Sequence, residues 1–501
     1  MRQPCASLTV AGLGGDSGKT LVALGLAAGW AEKGLRVAPF KKGPDYIDAA
    51  WLSLAAQAPC RNLDTFLMTD EAIRRTWTYC CQRTDVSVVE GNRGLYDGMD
   101  ARGSHSTAEL AKRLNSPVLL VLDATKVTAT LAAIVLGVRQ FDPSVPLAGV
   151  VLNRIGGSRH ERVAREAIET HTDLRVLGAI PRVKGGEELL PGRHLGLITV
   201  DEHPRAKAAI DTARKLVNDH VDVGTLLAVE QTGSSALRVC ILPQTDLSSI
   251  PDPPEDDARP PVEERVAHPA PIHIFSGSAH ELQARGPARI AVLRDSAFSF
   301  YYPENLEALR RGGADIVRVD SLHDKALPDD IHALYIGGGF PETHAQKIAK
   351  NKSLLASIKQ AAADDLPIYA ECGGLMLLCD SIEFDGKRSK MAGVFPIQAR
   401  WSKKPAGHGY TMGEVSGINP FYPVGTKLRG HEFHHSHLRD LGGDPEVATV
   451  VALTKGNGVG GSRDGLTYRN VLALYTHVHA AGTIEWAEGM LRAAWRFRDS
   501  R

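Results

Sequence analysis

Three apolar runs in the first half of the chain each end on residues able to bind phosphate or a divalent cation. The first, LTVAGL, opens into GGDSGKT, with Gly15, Asp16, Ser17 and Gly18 in the loop and Lys19 and Thr20 behind it. Backbone N–H groups of such a loop wrap phosphates, the helix that follows adds positive potential, the lysine reaches the β and γ phosphates, and the hydroxyl faces Mg²⁺. The strict pattern GxxxxGK[ST] is not met, because Leu13 occupies the place of its first glycine. The second run, LRVAPF, ends on KKGPDYID, which offers Lys41, Lys42, Asp45, Tyr46 and Asp48. The third, VSVV, ends on Glu90 and continues as GNRGLYDG, with Arg93, Tyr96 and Asp97. A carboxylate at a strand tip can ligate Mg²⁺ directly or through water, and Gly91 and Gly94 let backbone come close to phosphates. Three strand ends on one sheet edge thus converge on a nucleotide and metal site, with Thr20 and Glu90 as metal contacts.

The second half carries a different chemistry. PIYAECGGLMLL, residues 367–378, reads as strand, sharp turn and helix with Cys372 at the turn. That is a nucleophile elbow, in which a helix N-terminus lowers the thiol pKa toward the reactive thiolate. YIGGGFPE supplies a second glycine-rich strand exit, and backbone N–H groups around Gly338 and Gly339 could stabilise the oxyanion formed when Cys372 attacks an amide. The base should be a histidine, and VLALYTHVHAAGT offers His477 and His479, which strand alternation puts on one face. RGHEFHHSH packs four histidines into seven positions, 431–437, without a nearby cysteine; contact with substrate carboxylates or packing suits it better than a metal. FSFYYPENL reads as core that could border a flat macrocycle.

The elements that position these groups follow a βα rhythm. From residue 7 to about 225, short apolar runs alternate with amphipathic segments, as in a parallel sheet covered on both faces. Residues 251–271 then carry seven prolines in 21 positions, a density that neither helix nor sheet ladder survives. The rhythm resumes with RIAVLRD, ADIVRVD, ALYIGGGF and PIYAECGG. We therefore expect an α/β protein of two doubly wound parallel-sheet domains, at 1–225 and 286–501, joined by a proline-rich linker over 226–285. The 501 residues carry 58 Lys+Arg and 58 Asp+Glu, so no global field draws the chain to nucleic acid or an anionic membrane. Seven irregularly spaced cysteines without a CxxC pair suit a reducing cytoplasm, and no apolar run reaches membrane-spanning length.

Taken in order, GDSGKT, KKGPDYIDAAWL, RNLDTFLM, EGNRGLYDG and GVVLNR resemble the cobyrinic acid a,c-diamide synthase family. Its N-terminal domain is P-loop NTPase-like and similar to dethiobiotin synthetase; its C-terminal half resembles class I, triad-type glutamine amidotransferases. The resemblance implies ATP-dependent amidation of tetrapyrrole carboxylates through an acyl phosphate, with glutamine supplying nitrogen. It further implies that Lys19 and Thr20 bind ATP·Mg²⁺ and that Lys41 contacts phosphate and substrate carboxylate. Asp45, Tyr46, Asp48, Glu90 and Asp97 would serve substrate, metal or phosphoryl transfer, and Asn153 matches the place where relatives hold adenine. The Tyr-x-His pattern favours His477 as the base. Many triad enzymes place Glu two residues after the histidine; His479 stands there, which leaves the third member open and a Cys–His dyad compatible with the chain.

Departures from the family pattern concern the acceptor. Where cobyrinate enzymes usually read KVGPDYIDP and EGVMGLYDG, this chain has Lys42, Ala49 and Asn92-Arg93. These look more like the sirohaem amidases, and Lys42 and Arg93 add two cations beside Tyr46 and Tyr96 on the acceptor side. Sirohaem is the expected substrate, with cobyrinic or hydrogenobyrinic acid as the alternative. A nucleotide-binding switch with an inactive glutaminase half is the rival from another class. Ammonia shielded from water would require facing domains, for which a homodimer is one arrangement.

Overall fold

A computed structural model describes residues 5–183, 192–193, 196–227, 286–441 and 445–501. The chain forms two compact units, Met1–Thr65 with Asp70–Pro271, and Phe66–Thr69 with Ile272–Arg501. The expected linker lies, from residue 228 to 285, outside the described residues.

The first unit is built on seven parallel strands: β1 Ala6–Gly12, β2 Val37–Lys42, β3 Arg61–Leu63, β4 Val86–Glu90, β5 Val118–Asp123, β6 Leu147–Ile155 and β7 Val176–Pro181. Their spatial order is β3-β2-β4-β1-β5-β6-β7. The order reverses beside β1, the kind of switch point where open α/β sheets bind ligands at the strands' carboxyl ends. Burial on both faces explains the continuous apolar runs of β4 and β5. The helix Lys19–Glu32 is buried almost all round from Val22 to Trp30. Its glycines explain how: a Cβ at Gly25 would lie 2.3 Å from Val217 Cγ2 and 2.7 Å from the Ala213 carbonyl, so the helix Ala206–His220 packs directly on its backbone. Ser106 starts the helix Thr107–Leu114 as a side-chain cap, accepting from the Glu109 N–H at 3.3 Å. A separate antiparallel pair, β8 Gly192–Arg193 and β9 Gly196–Leu197, lies outside this sheet.

The second unit begins with the expected parallel core: β10 Ala288–Leu293, β11 Ala314–Val319, β12 Ala333–Ile336 and β13 Ile368–Glu371. Three strands follow in a smaller sheet, β14 Cys379–Phe384, β15 Lys387–Lys390 and β16 Phe395–Trp401. The chain then adds β17 Gly407–Val415, β18 Lys427–His434, β19 Ser436–Arg439, β20 Ala448–Lys455, β21 Arg463–Tyr468, β22 Val471–Leu474 and β23 His477–Val478. The large sheet runs β11-β10-β12-β13-β22-β21-β20-β17-β18-β23, and the small one β15-β14-β16-β19. The first five strands of the large sheet pair in parallel and the remainder antiparallel. The unit is therefore a parallel α/β core extended by an antiparallel wing, a mixed sheet that the βα rhythm does not announce. Phe298, Tyr301 and Tyr302 of the FSFYYPENL segment are buried in its core.

Candidate active sites

In the first unit, register brings the charged strand tips together. Lys41 on β2 pairs with Glu90 on β4, and Glu90 pairs with Val10 on β1, directly before the glycine loop. The Lys41 ammonium lies 2.6 Å from Asp48 Oδ2 and 3.1 Å from Glu90 Oε1, and donates to the Gly91 carbonyl at 3.3 Å. Thr20 donates its hydroxyl to Glu90 Oε1 at 2.6 Å. Burial would strip the proton from Lys41, but Asp48 and Glu90 outweigh it and hold the ammonium well above its ordinary value. The same burial raises Glu90, with Lys41 opposing. Asp45 accepts the Asp48 N–H at 2.9 Å, and burial together with the Asp48 carboxylate pushes it up to about 7.

Lys19 donates to the Gly14 carbonyl at 2.6 Å and to Ser17 Oγ at 3.4 Å, and burial lowers its pKa. Gly15 and Asp16 are exposed, Asp16 with a φ of 56°. Gly18 caps the helix at φ 98°, where a Cβ would lie 2.1 Å from Asn153 Nδ2; only glycine fits. Asn153 is buried and donates to the Ser17 carbonyl at 3.0 Å, so it ties β6 to the phosphate loop. Lys42 is buried, and desolvation lowers its pKa against the pull of Asp64, with Lys41 and Arg93 as like-charged neighbours. Tyr46 is half-buried at the start of the helix Ile47–Ala56, and Arg93 is exposed at φ 51°.

Two expected residues are placed differently. Asp97 is exposed and accepts the Gly94 N–H at 2.8 Å, shaping its own loop instead of joining the Lys41 cluster. Tyr96 donates its hydroxyl to the Val138 carbonyl at 2.6 Å and packs on Phe141, so its polar end is committed to the helix Thr130–Phe141. Both follow from the turn after Leu95, which the segment's composition does not reveal.

In the second unit Cys372 sits between β13 and the helix Gly373–Leu378 at φ 48° and ψ −98°, the strained backbone expected of an elbow. Its N–H donates to the Leu474 carbonyl at 2.7 Å. A Cβ at Gly374 would lie 2.4 Å from the Ile336 carbonyl, so the turn requires that glycine, and one at Gly373 would lie 3.1 Å from the Gly339 nitrogen, so the turn sits tightly against the expected oxyanion loop. Gly338 is likewise constrained: a Cβ would lie 2.5 Å from His477 Cε1 and 3.2 Å from its Nε2. Tyr301 braces this loop by accepting the Gly337 N–H at 2.7 Å.

The lowered thiol pKa expected from the helix terminus is not found. Burial and the Glu342 carboxylate push Cys372 well above an ordinary thiol, and the Gly373 N–H only partly opposes them. The terminus of so short a helix is outweighed by desolvation. Unassisted ionisation of the thiol is therefore opposed by its surroundings.

Of the two candidate bases, the structure brings His477 to the elbow loop. Its Nδ1 lies 3.3 Å from Glu371 Oε2, on the residue immediately before the nucleophile. Glu371 Oε1 accepts the Val478 N–H at 3.3 Å, and the Tyr335 hydroxyl donates to Oε2 at 3.3 Å. Glu371 lies in the PIYAECGG segment, yet nothing in its spacing from His477 points to the contact. His479 turns elsewhere: its Nδ1 accepts the Ala481 N–H at 3.1 Å, and its Nε2 lies 3.8 Å from Glu304 Oε2. The other histidines are distributed over separate rings: His431 stacks on His477, His434 on Tyr475, and His435 on Trp401. Among the described residues no cluster of three or more His, Cys, Asp or Glu is arranged to hold a metal by itself.

With both sites in view, residues 8–190 match the CobQ/CobB/MinD/ParA nucleotide binding domain and residues 289–483 the CobB/CobQ-like glutamine amidotransferase domain. The cobyrinate a,c-diamide synthase of Magnetococcus marinus is 39% identical over 485 residues, covering 97% of this chain and 96% of that protein. The chain belongs to the cobyrinate a,c-diamide synthase family. The synthases of Dehalococcoides mccartyi strain 195 (36% identity, 98% of each chain) and Archaeoglobus fulgidus (37%, 94% of each chain) are similar along their whole length. Like the family, the chain is a carbon–nitrogen ligase that uses ATP and takes its nitrogen from glutamine. No helix among the described residues is long and apolar enough to cross a membrane.

Proposed function

We propose that the chain amidates the a and c acetate carboxylates of a cobyrinic or hydrogenobyrinic acid macrocycle, working in the cytoplasm. The observation that carries this reading is the full-length likeness to cobyrinate a,c-diamide synthases, which spans both units. It supports this acceptor better than the sirohaem expected from Lys42 and Arg93. Those two cations still favour a second reading, a sirohaem-type acceptor, because Lys42 is a buried amine with Arg93 as neighbour.

A carboxylate resists ammonia because its leaving group would be oxide, whereas an acyl phosphate leaves readily. Two anions, the ATP γ-phosphate and the acceptor carboxylate, have to meet, and charge repulsion is the barrier the site must lower. Lys41, kept protonated by Glu90 and Asp48, presents a fixed positive charge where they meet. Lys19 and the loop amides hold the phosphates, and Asn153 secures the loop. The donors also fit Mg²⁺: Thr20 and Asp48 flank Glu90, whose Oε2 is buried without a hydrogen-bond partner. When bound, the ion would neutralise the β and γ phosphates. In the second unit Cys372 attacks the glutamine amide, His477 accepts the thiol proton and passes it to the leaving ammonia, and Gly338 and Gly339 present N–H groups to the oxyanion.

The test is incubation with ATP, glutamine and each macrocycle, read by mass spectrometry. Two successive exchanges of carboxyl OH for NH₂ on the corrin-type substrate support the proposal. Conversion of the sirohaem-type macrocycle alone supports the second reading, and conversion of neither contradicts both. Sizing the enzyme in solution checks whether it works as a homodimer.

A further inference from the structure

We propose that Glu371 is the carboxylate that orients His477 and steadies its imidazolium, so that the triad is completed from the strand preceding the nucleophile. This inference rests on the glutamine-dependent reading above and names a positioning residue for it. Glu371 is buried, as is His477, and its Oε2 lies 3.3 Å from His477 Nδ1. A carboxylate can only accept, so that contact fixes the proton on Nδ1 and leaves Nε2 as the proton acceptor. The ring edge bearing Nε2 faces Gly338, where any side chain would collide with it, and Gly339 meets the elbow at Gly373.

Glu371 is itself held in place. Val478 N–H bonds to Oε1, the Tyr335 hydroxyl to Oε2, and the strand register sets Glu371 beside Leu474 in the β13–β22 pair. The position two residues after the base cannot serve, because His479 is engaged with Ala481 and faces Glu304. The other titratable groups around the pair are His431, stacked on His477 at 4.8 Å and kept neutral by burial, and the hydroxyls of Tyr335, Tyr301, Tyr369 and Tyr422. Glu342 and Glu432 act on the thiol. Among these groups, Glu371 is the carboxylate with a direct contact to His477 Nδ1.

The step balances without another reactant. The Cys372 proton moves to His477 Nε2 as sulfur adds to the amide carbon; the C–N bond then breaks while the imidazolium returns that proton to ammonia. Water hydrolyses the resulting thioester to glutamate. In this sequence His477 is positively charged while sulfur is bonding, and a buried acceptor on its far nitrogen stabilises that charge.

The experiment compares the wild-type chain with Glu371→Gln and Glu371→Asp by glutamate release from glutamine over a range of pH. Loss of the carboxylate should lower kcat by roughly 10²- to 10⁴-fold with little change in KM. The acidic limb of the kcat/KM profile should also move to lower pH in Glu371→Gln, because the imidazolium loses its counter-charge, and Glu371→Asp should restore part of both. ATP-dependent amidation supported by ammonium salts, which bypasses Cys372, should be unchanged and reports folding of the variants. Wild-type rate and an unmoved limb in Glu371→Gln would overturn the inference, as would parallel loss of the ammonium-supported activity with no limb shift. A wild-type chain that releases no glutamate would instead overturn the glutamine-dependent reading itself.

Discussion

In the first unit a buried ammonium, Lys41, is clasped by Glu90 and Asp48, and all three belong to one compensated cluster that also takes in Thr20. In the second unit the Cys372 thiol is buried beside carboxylates that oppose its ionisation, and burial raises its pKa. On the proposed function the first site presents charge permanently, to overcome repulsion between two anions. On the same reading the second creates charge when substrate arrives, and a thiol kept protonated until then is less open to oxidation. Reactivity is thus stored as preorganised charge in one site and as a poised proton transfer in the other.

The sharpest way to separate the two is Cys372→Ala. It should abolish glutamine-supported amidation while ammonium-supported amidation persists, measured as amide formed with each nitrogen source. Equal loss of both would mean that the sites do not divide the work as described. Next in size is Lys41→Met, which leaves the buried Glu90 and the half-buried Asp48 without their cation. We expect amidation to fall about 10²- to 10³-fold, as when one preorganised electrostatic donor is removed. Stability should fall by about 3–5 kcal/mol, the cost of breaking a buried ion pair from one side, read from urea unfolding. Glutamate release should survive under conditions where the variant is folded.

A third carboxylate sharpens the contrast from within the second unit. Burial opposes ionisation of Glu432, yet His434 and the N–H groups of Asn457 and Gly458, at 2.6 and 2.8 Å, bring its pKa below the ordinary carboxylate range. A depressed folded-state pKa contributes stability that is present above the unfolded pKa and lost as pH falls through the folded one. Glu432→Gln should therefore cost about 1.5–3 kcal/mol at neutral pH, and the gap from wild type should close in acid; thermal melts across pH check this. A gap independent of pH would contradict the assignment of that stability to the carboxylate.

The strand ends of the first unit were readable because parallel strands buried on both faces leave continuous apolar runs, and functional residues follow each run directly. Lys41, Glu90 and Thr20 meet as their positions suggest. Cys372 and its glycines were readable for the same reason. The antiparallel wing was not: β17 and β18 carry Gly, His, Arg and Glu at exposed and buried positions alike, a composition that resembles loop as much as strand. Glu371 was missed because its partner is 106 positions away, and only the closing of β13 against β22 brings them together. A tyrosine in a glycine loop reads the same whether its hydroxyl meets a ligand or, as for Tyr96, the Val138 carbonyl.

The central claim is that ATP activates the acceptor carboxylate as an acyl phosphate before nitrogen from glutamine displaces phosphate. It is tested most directly with a macrocycle whose acetate carboxylates carry heavy oxygen, followed by mass analysis of the inorganic phosphate released with ATP and glutamine present. The account predicts that one heavy oxygen appears in phosphate for each amide formed. Amide formation accompanied by unlabelled phosphate would contradict it.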